Sequence, residues 1–99
     1  MITIKDIINL SKPHPVVGGG RALRIGNDNV EFSIVGGARG LYGDFINDFE
    51  VAILDKENGE FVTKFFYPEA SDDVIGYMSG KSLESLINKV FKDKDFQVR

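Results

Sequence analysis

The spacing of apolar and polar residues predicts a short helix at the start of the chain. Isoleucines recur there at helical spacing: Ile4, Ile7 and Ile8. Thr3, with Asp6 three residues later, matches a capping box in which Asp replaces the usual Glu. Pro13 and Pro15 follow, and proline cannot continue the hydrogen-bond ladder of a helix. We therefore predict an amphipathic helix of about two turns within residues 1–11.

After this helix, apolar and polar side chains alternate with the period of two that is typical of half-buried strands. Residues 23–25 and 30–35 are predicted to form a first hairpin, because Gly26-Asn27-Asp28-Asn29 between them favours a turn. The segment 41–46 follows and carries three large apolar residues. We expect these side chains to tuck under the sheet, since a loop that exposed all of them would form an adhesive patch.

The same alternation predicts a second hairpin from residues 49–54 and 61–66. Asn58-Gly59 lies between them, and this pair adopts the positive φ angles of a hairpin turn at little steric cost. The phenylalanines of the second strand are then expected in the core. Residues 74–78 predict a short fifth strand.

A second amphipathic helix is predicted near the C-terminus, with Ser79 as its N-cap. Its apolar side chains form one stripe: Leu83, Leu86, Ile87, Val90 and Phe91. The whole pattern predicts an α+β fold, an antiparallel four- to five-stranded meander with a short N-terminal helix and this helix packed on one face. At 99 residues, the chain is predicted to form a single domain, residues 1–99.

The amino-acid composition excludes several classes of function for this protein. The chain has no cysteine, so thiolate metal sites and disulfides are excluded, and a reducing compartment is favoured. Its longest apolar runs are too short to span a membrane, and no secretory signal pattern is found, so we expect a cytoplasmic protein. The single histidine, His14, lies between two prolines, and no Ser-His-Asp or Cys-His arrangement can be assembled around it. We therefore predict neither an enzyme nor a cofactor or metal site.

The charge distribution suggests a partner. The net charge is −3, but residues 44–73 carry nine acidic and two basic side chains, a balance of −7. Such a region repels nucleic acid and attracts a basic protein surface. The carboxylates expected to contact this partner lie in the acidic hairpin and the loop before it: Asp44, Asp48, Glu50, Glu57 and Glu60.

A repeated glycine-arginine motif suggests a second kind of site. Val17-Gly18-Gly19-Gly20-Arg21-Ala22-Leu23 nearly recurs as Val35-Gly36-Gly37-Ala38-Arg39-Gly40-Leu41. Glycines let backbone N–H groups converge on an anion, and a guanidinium can fork onto phosphate. The alternative is that these glycines mark sharp turns at the sheet corners. Because a strand separates the two copies, they need not form one pocket. The candidate anion-binding residues are Gly18, Gly19, Gly20, Arg21, Gly36, Gly37, Arg39 and Gly40.

Two functional hypotheses result from these patterns. The first is a non-enzymatic protein-binding module, of the accessory or inhibitor type found among small proteins that include phage-encoded ones, which docks through its acidic hairpin and loop surface. The second is a small-ligand binder that sequesters a nucleotide or another anion in the glycine-arginine loops. A structural subunit of a larger assembly and a homo-oligomer both stay open.

Overall fold

A computed structural model describes residues 2–91 and 96–98 and has the predicted α+β architecture, with helices beside one antiparallel sheet. The helices are α1 (Ile4–Leu10), α2 (Thr63–Phe66) and α3 (Gly80–Val90). The strands are β1 (Lys12–Pro13), β2 (Arg21–Gly26), β3 (Val30–Gly36), β4 (Asp48–Asp55), β5 (Val74–Ser79) and β6 (Gln97–Val98). The order is β1-β2-β3-β4-β5, and β6 pairs with the end of β2 that β1 leaves free.

Side-chain caps determine where both predicted helices begin. The Thr3 side chain accepts a hydrogen bond from the Asp6 N–H, and the Asp6 carboxylate accepts one from the Thr3 N–H, so the capping box is confirmed. Ser79 caps α3 in the same way through the N–H of Ser82. Each cap satisfies N–H groups that the first turn of a helix leaves without a partner.

The core lies between the helices and one face of the sheet. Phe32 and Ile34 of β3 are fully buried there, while the alternating residues Glu31, Ser33 and Val35 are half-buried on the other face. The Phe32 ring lies 5.3 Å from that of Phe91, which follows α3. The buried side of α3 consists of Leu83, Leu86 and Ile87, as its apolar stripe predicted. Among the described residues, no helix is long and apolar enough to cross a membrane.

The first predicted hairpin is confirmed as β2 and β3, but the second is wrong. The segment after the turn does begin beside β4, where Phe61 bridges Leu54. Thr63 then starts α2, and its fully buried hydroxyl accepts the Ile53 N–H at 2.9 Å and donates to the Asp73 carbonyl at 2.6 Å. The remaining edge of β4 pairs with β5 instead.

The phenylalanines assigned to that strand consequently do not all enter the core. Phe66 packs against the core from the side, but Phe61 and Phe65 are exposed. The expected tucking of segment 41–46 is also wrong in part. Phe45 is buried and Leu41 is half-buried, whereas Tyr42 and Ile46 are exposed.

Candidate functional site

The two glycine-arginine copies lie at the same end of the sheet. The first copy leads into β2 and the second leaves β3, and these strands are antiparallel, with Arg21 opposite Gly36. The loops also touch, since a Cβ placed on Gly20 would lie 3.0 Å from Cδ1 of Leu41. The strand between the copies therefore does not separate them, because the hairpin folds its two ends back together.

The two arginines of the repeat have different surroundings. Arg21 donates from Nε to the Ser11 hydroxyl at 3.1 Å and from Nη2 to the Ser11 carbonyl at 2.6 Å. Ser11 is the buried C-cap residue of α1, so Arg21 joins the end of this helix to β2. Arg39 is exposed, and within residues 2–91 and 96–98 its guanidinium has no hydrogen-bond or ion-pair partner. Only the second copy thus presents an arginine that is available to a ligand.

His14 organises the first glycine loop. Its Nδ1 accepts the backbone N–H groups of Val16 at 3.1 Å and Val17 at 2.9 Å. The His14 N–H in turn donates to the Gly20 carbonyl at 2.9 Å. Gly18 and Gly19 project from this loop with no atom within 4 Å of their added Cβ positions. The glycines of the first copy therefore form a turn that is stabilised by the imidazole of His14.

Carboxylates hold the second loop, residues 37–47. The Oδ1 atom of Asp44 accepts three backbone N–H groups, those of Ile46 (2.8 Å), Asn47 (2.7 Å) and Asp48 (3.1 Å). Asp48 Oδ1 accepts the Asp44 N–H at 2.8 Å, and Glu50 Oε1 accepts the Tyr42 N–H at 2.9 Å. Three of the carboxylates predicted to contact a partner thus also fix the shape of loop 37–47.

The charge on Asp44 makes this loop sensitive to acid. The N–H groups of Ile46, Asn47 and Asp48 hold the pKa of the Asp44 carboxyl well below its ordinary value. A pKa that is depressed in the folded state contributes stability above the unfolded value of about 3.9, and this contribution is lost as pH falls through the folded value. The unfolding free energies of wild type and Asp44→Asn should therefore differ most above about pH 5 and converge at lower pH.

Urea unfolding at a series of pH values measures this difference. Glu60→Gln is the control, because Glu60 is exposed in the turn after β4 and its carboxylate accepts no hydrogen bond from the described residues. A constant difference between wild type and Asp44→Asn across the acid range would show that the three N–H groups do not stabilise the ionised carboxylate.

Two tyrosines that the sequence analysis did not single out meet beside this loop. Their ring centroids are 6.0 Å apart, and Tyr42 and Tyr77 are 54% and 65% exposed. The backbone holds the pair together, because the Tyr77 N–H donates to the Tyr42 carbonyl at 2.8 Å. Gly76 permits the approach, since a Cβ there would lie 3.2 Å from that of Tyr42. The register between β4 and β5 shifts at this point, which turns Tyr77 out of the ladder.

Backbone strain is concentrated at the same place. Among the described residues, the non-glycine positions with positive φ are Phe45 at 62° and Tyr77 at 53°. Such conformations cost about 1–3 kcal/mol and tend to cluster at functional sites. Burial of the Phe45 ring, edge-on to Phe49 at 5.1 Å, offsets its strain. The exposed Tyr77 ring has no comparable burial, so the fold does not explain why a tyrosine occupies this position.

Loop 37–47 and Tyr77 border one open depression of about 470 Å³. We refer to it as the loop site. The residues that line it include Arg39, whose guanidinium is free, together with Asp44, Asp48 and Tyr77. No group of three or more His, Cys, Asp or Glu residues in the described part of the chain is arranged to hold a metal ion.

The remaining carboxylates predicted to contact a partner lie elsewhere. Glu57 and Glu60 are in the turn after β4, whereas Asp44 and Asp48 lie before or at its start. An eight-residue strand spans about 23 Å. The structure therefore distributes the five predicted carboxylates over two surfaces, and only three of them lie at the glycine-arginine end.

Comparisons with protein-family models, with curated proteins and with solved structures found no match.

Proposed function

We propose that this chain is a non-enzymatic protein-binding module that contacts its partner through the loop site. The observation that carries the proposal is the pair of adjacent, exposed rings of Tyr42 and Tyr77, held in place by a backbone hydrogen bond and a strained φ. Tyrosine and arginine are enriched among the residues that dominate binding energy at protein interfaces. Arg39 and Tyr77 supply both types around one depression, and Tyr42 lies next to Tyr77.

The charges around the tyrosines favour a partner with basic side chains. Asp44, Asp48 and Tyr77 all line the depression, and the depressed pKa of Asp44 leaves its carboxylate ionised even in acidic solution. Lysine and arginine side chains are attracted both to carboxylates and to the faces of tyrosine rings. Arg39 adds one cation, which would pair with a carboxylate of the partner. An accessory or inhibitor role in the cytoplasm, where proteins rarely depend on disulfides, belongs to the same proposal.

The alternative, a nucleotide or another anion bound in the glycine-arginine loops, has weaker geometric support. In its favour, the two loops meet and Arg39 is free. Against it, the guanidinium of Arg21 is engaged by Ser11, and the carboxylates of Asp44 and Asp48 border the depression where an anion would lie. These carboxylates would repel phosphate at short range.

The experiment that tests the proposal uses Tyr77→Gly. Glycine adopts positive φ without steric cost, so the backbone is retained while the ring is lost. The free energy of unfolding should stay within about 1 kcal/mol of wild type, because relief of strain is offset by greater freedom of the unfolded chain. Affinity for the partner should fall by about 30-fold or more, the loss typical of a dominant interface residue.

A photo-cross-linking amino acid at position 42 of the full chain identifies the partner in the cells that encode it. Position 61 is the control, because Phe61 is also an exposed aromatic residue but lies at the other end of β4. Equal affinities of wild type and Tyr77→Gly for the captured protein would contradict the proposal. Thermal stabilisation by phosphate or a nucleotide that Arg39→Ala abolishes would favour the alternative.

A further inference from the structure

The short helix α2 presents an unusually exposed aromatic side chain. Phe65 is 79% exposed, and its ring stands edge-on to that of Phe66 at 5.0 Å. The helix is anchored beneath by Thr63, whose buried hydroxyl is bonded to β4 and to the carbonyl of Asp73. Phe65 is thus held outward by a fixed backbone. A rigid, exposed phenylalanine is typical of a contact surface rather than of a solvated loop.

Opposite charges flank this helix. On one side, Phe65 and Phe66 border a depression of about 340 Å³ together with the acidic residues Asp28, Asp55 and Glu57. On the other side, Phe66 borders a depression of about 380 Å³ whose wall is formed by α3. The basic and hydroxyl side chains of that wall are Lys81, Ser82, Ser85 and Lys89.

The charged groups on both sides are available to a partner. Within residues 2–91 and 96–98, Asp28, Glu57, Lys81 and Lys89 have no side-chain hydrogen-bond or ion-pair partner. Asp55 differs, because its Oδ1 accepts the N–H groups of Glu57 and Asn58 and so stabilises the turn after β4. Glu69 also borders the basic depression and reduces its net charge.

We infer that this surface, which we call the α2 surface, binds a second copy of the same chain in a two-fold symmetric dimer. A two-fold axis near Phe65 would place the acidic side of each copy over the basic side of the other and would bring the two Phe65 rings together. A surface with an apolar centre and opposite charges on its two sides is self-complementary in this sense. A basic or an acidic peptide would match only one of the two depressions.

The acidic half of the α2 surface lies far from the loop site. The acidic turn of the α2 surface and the loop site lie at opposite ends of β4, about 23 Å apart along the strand. Each dimer would therefore carry two loop sites. A partner with two binding sites would then be held more tightly than by a single copy, through effective concentration.

Sedimentation equilibrium of the full chain tests the inference, over protein concentrations from about 1 μM to about 1 mM, the range of weak homodimers. Wild type should show a monomer–dimer equilibrium. Phe65→Ser should raise the dissociation constant by about tenfold or more. At concentrations where the wild type is monomeric, the thermal unfolding midpoint should be unchanged, because the ring is exposed. Tyr77→Gly is the control and should dimerise as wild type does, which separates this inference from the proposed function.

Charge reversal gives a sharper test. One variant combines Asp28→Lys with Glu57→Lys, and the other combines Lys81→Glu with Lys89→Glu. Each should be monomeric alone, because like charges then face each other across the axis. Mixed in equal amounts, the two variants should form a heterodimer.

Four results would overturn the inference. They are a wild type that stays monomeric throughout, a dimer that neither double variant weakens, a mixture of the variants that remains monomeric, and assemblies that grow beyond the dimer. The last result would indicate head-to-tail association, which does not close.

Discussion

Replacing Leu83 with alanine is expected to lower the free energy of unfolding by about 2–5 kcal/mol, the range for large-to-small changes in a packed core. Leu83 is completely buried on the face of α3 that packs against the sheet. The substitution removes apolar surface that is buried in the wild type. It also leaves a cavity, whose neighbouring side chains lose van der Waals contacts. For a protein of this size, such a change is a large part of the total stability.

Urea unfolding measures the effect, with Ser85→Ala as the matched control. Ser85 is exposed on the same helix, and alanine has the higher helix propensity, so this variant should stay within about 0.5 kcal/mol of wild type. Glu84, although polar, would be a poor control, because its Oε2 accepts the N–H of Ile4 at 3.1 Å and so links α3 to α1. Equal losses from Leu83→Ala and Ser85→Ala would mean that α3 packs through a different face.

The parts of the fold that could be predicted from the sequence are those decided by neighbouring residues. The capping box of Thr3 and Asp6 determines the start of α1 within four residues of chain. The first hairpin depends on a turn and on two strands that are adjacent in sequence, and the apolar stripe of α3 is also local. In each case the hydrogen bonds and the burial pattern favour the same structure, so no distant contact has to be known.

The prediction of the second hairpin was wrong because two segments that are distant in sequence compete to pair with β4. Within residues 61–66, apolar side chains occur at odd and at even positions. The periodicity of this segment therefore does not distinguish a strand from a helical turn. The edge of β4 can pair with only one strand, and β5 takes the larger part of it. Thr63 stabilises this outcome through the Asp73 carbonyl, a contact that no local pattern signals.

The loop site was predictable only in part, for the same reason. The repeated motif predicted Arg21 and Arg39 as anion-binding residues. The hydrogen bonds from Arg21 to Ser11, however, depend on how α1 packs. Tyr42 and Tyr77 become neighbours only because a register shift turns Tyr77 toward loop 37–47. Glycines beside both tyrosines, Gly43 and Gly76, were the only sequence signal of that close approach.

Gly43→Ala is the variant expected to disturb the loop site most. A Cβ at Gly43 would lie 2.8 Å from the Asp48 carbonyl oxygen and from N and Cα of Phe49. All three are backbone atoms at the start of β4, so no side chain can rotate away to make room. Forced overpacking of this kind costs about 1–3 kcal/mol and sometimes more. The hydrogen bond from the Gly37 N–H to the Gly43 carbonyl, now 2.9 Å, should weaken as the loop shifts.

Gly18→Ala is the matched control, because an added Cβ there meets no atom within 4 Å and the residue lies in the other copy of the motif. It should leave stability unchanged or raise it by about 0.4–1 kcal/mol, since alanine reduces the freedom of the unfolded chain. Urea unfolding measures the loss, and amide chemical shifts of residues 44–49 locate it. Equal stability of the two variants would mean that loop 37–47 does not press against β4. We expect Gly43→Ala to lose both stability and partner binding, and Tyr77→Gly to lose partner binding alone. That pair of results would distinguish a residue that supports the loop site from one that contacts the partner.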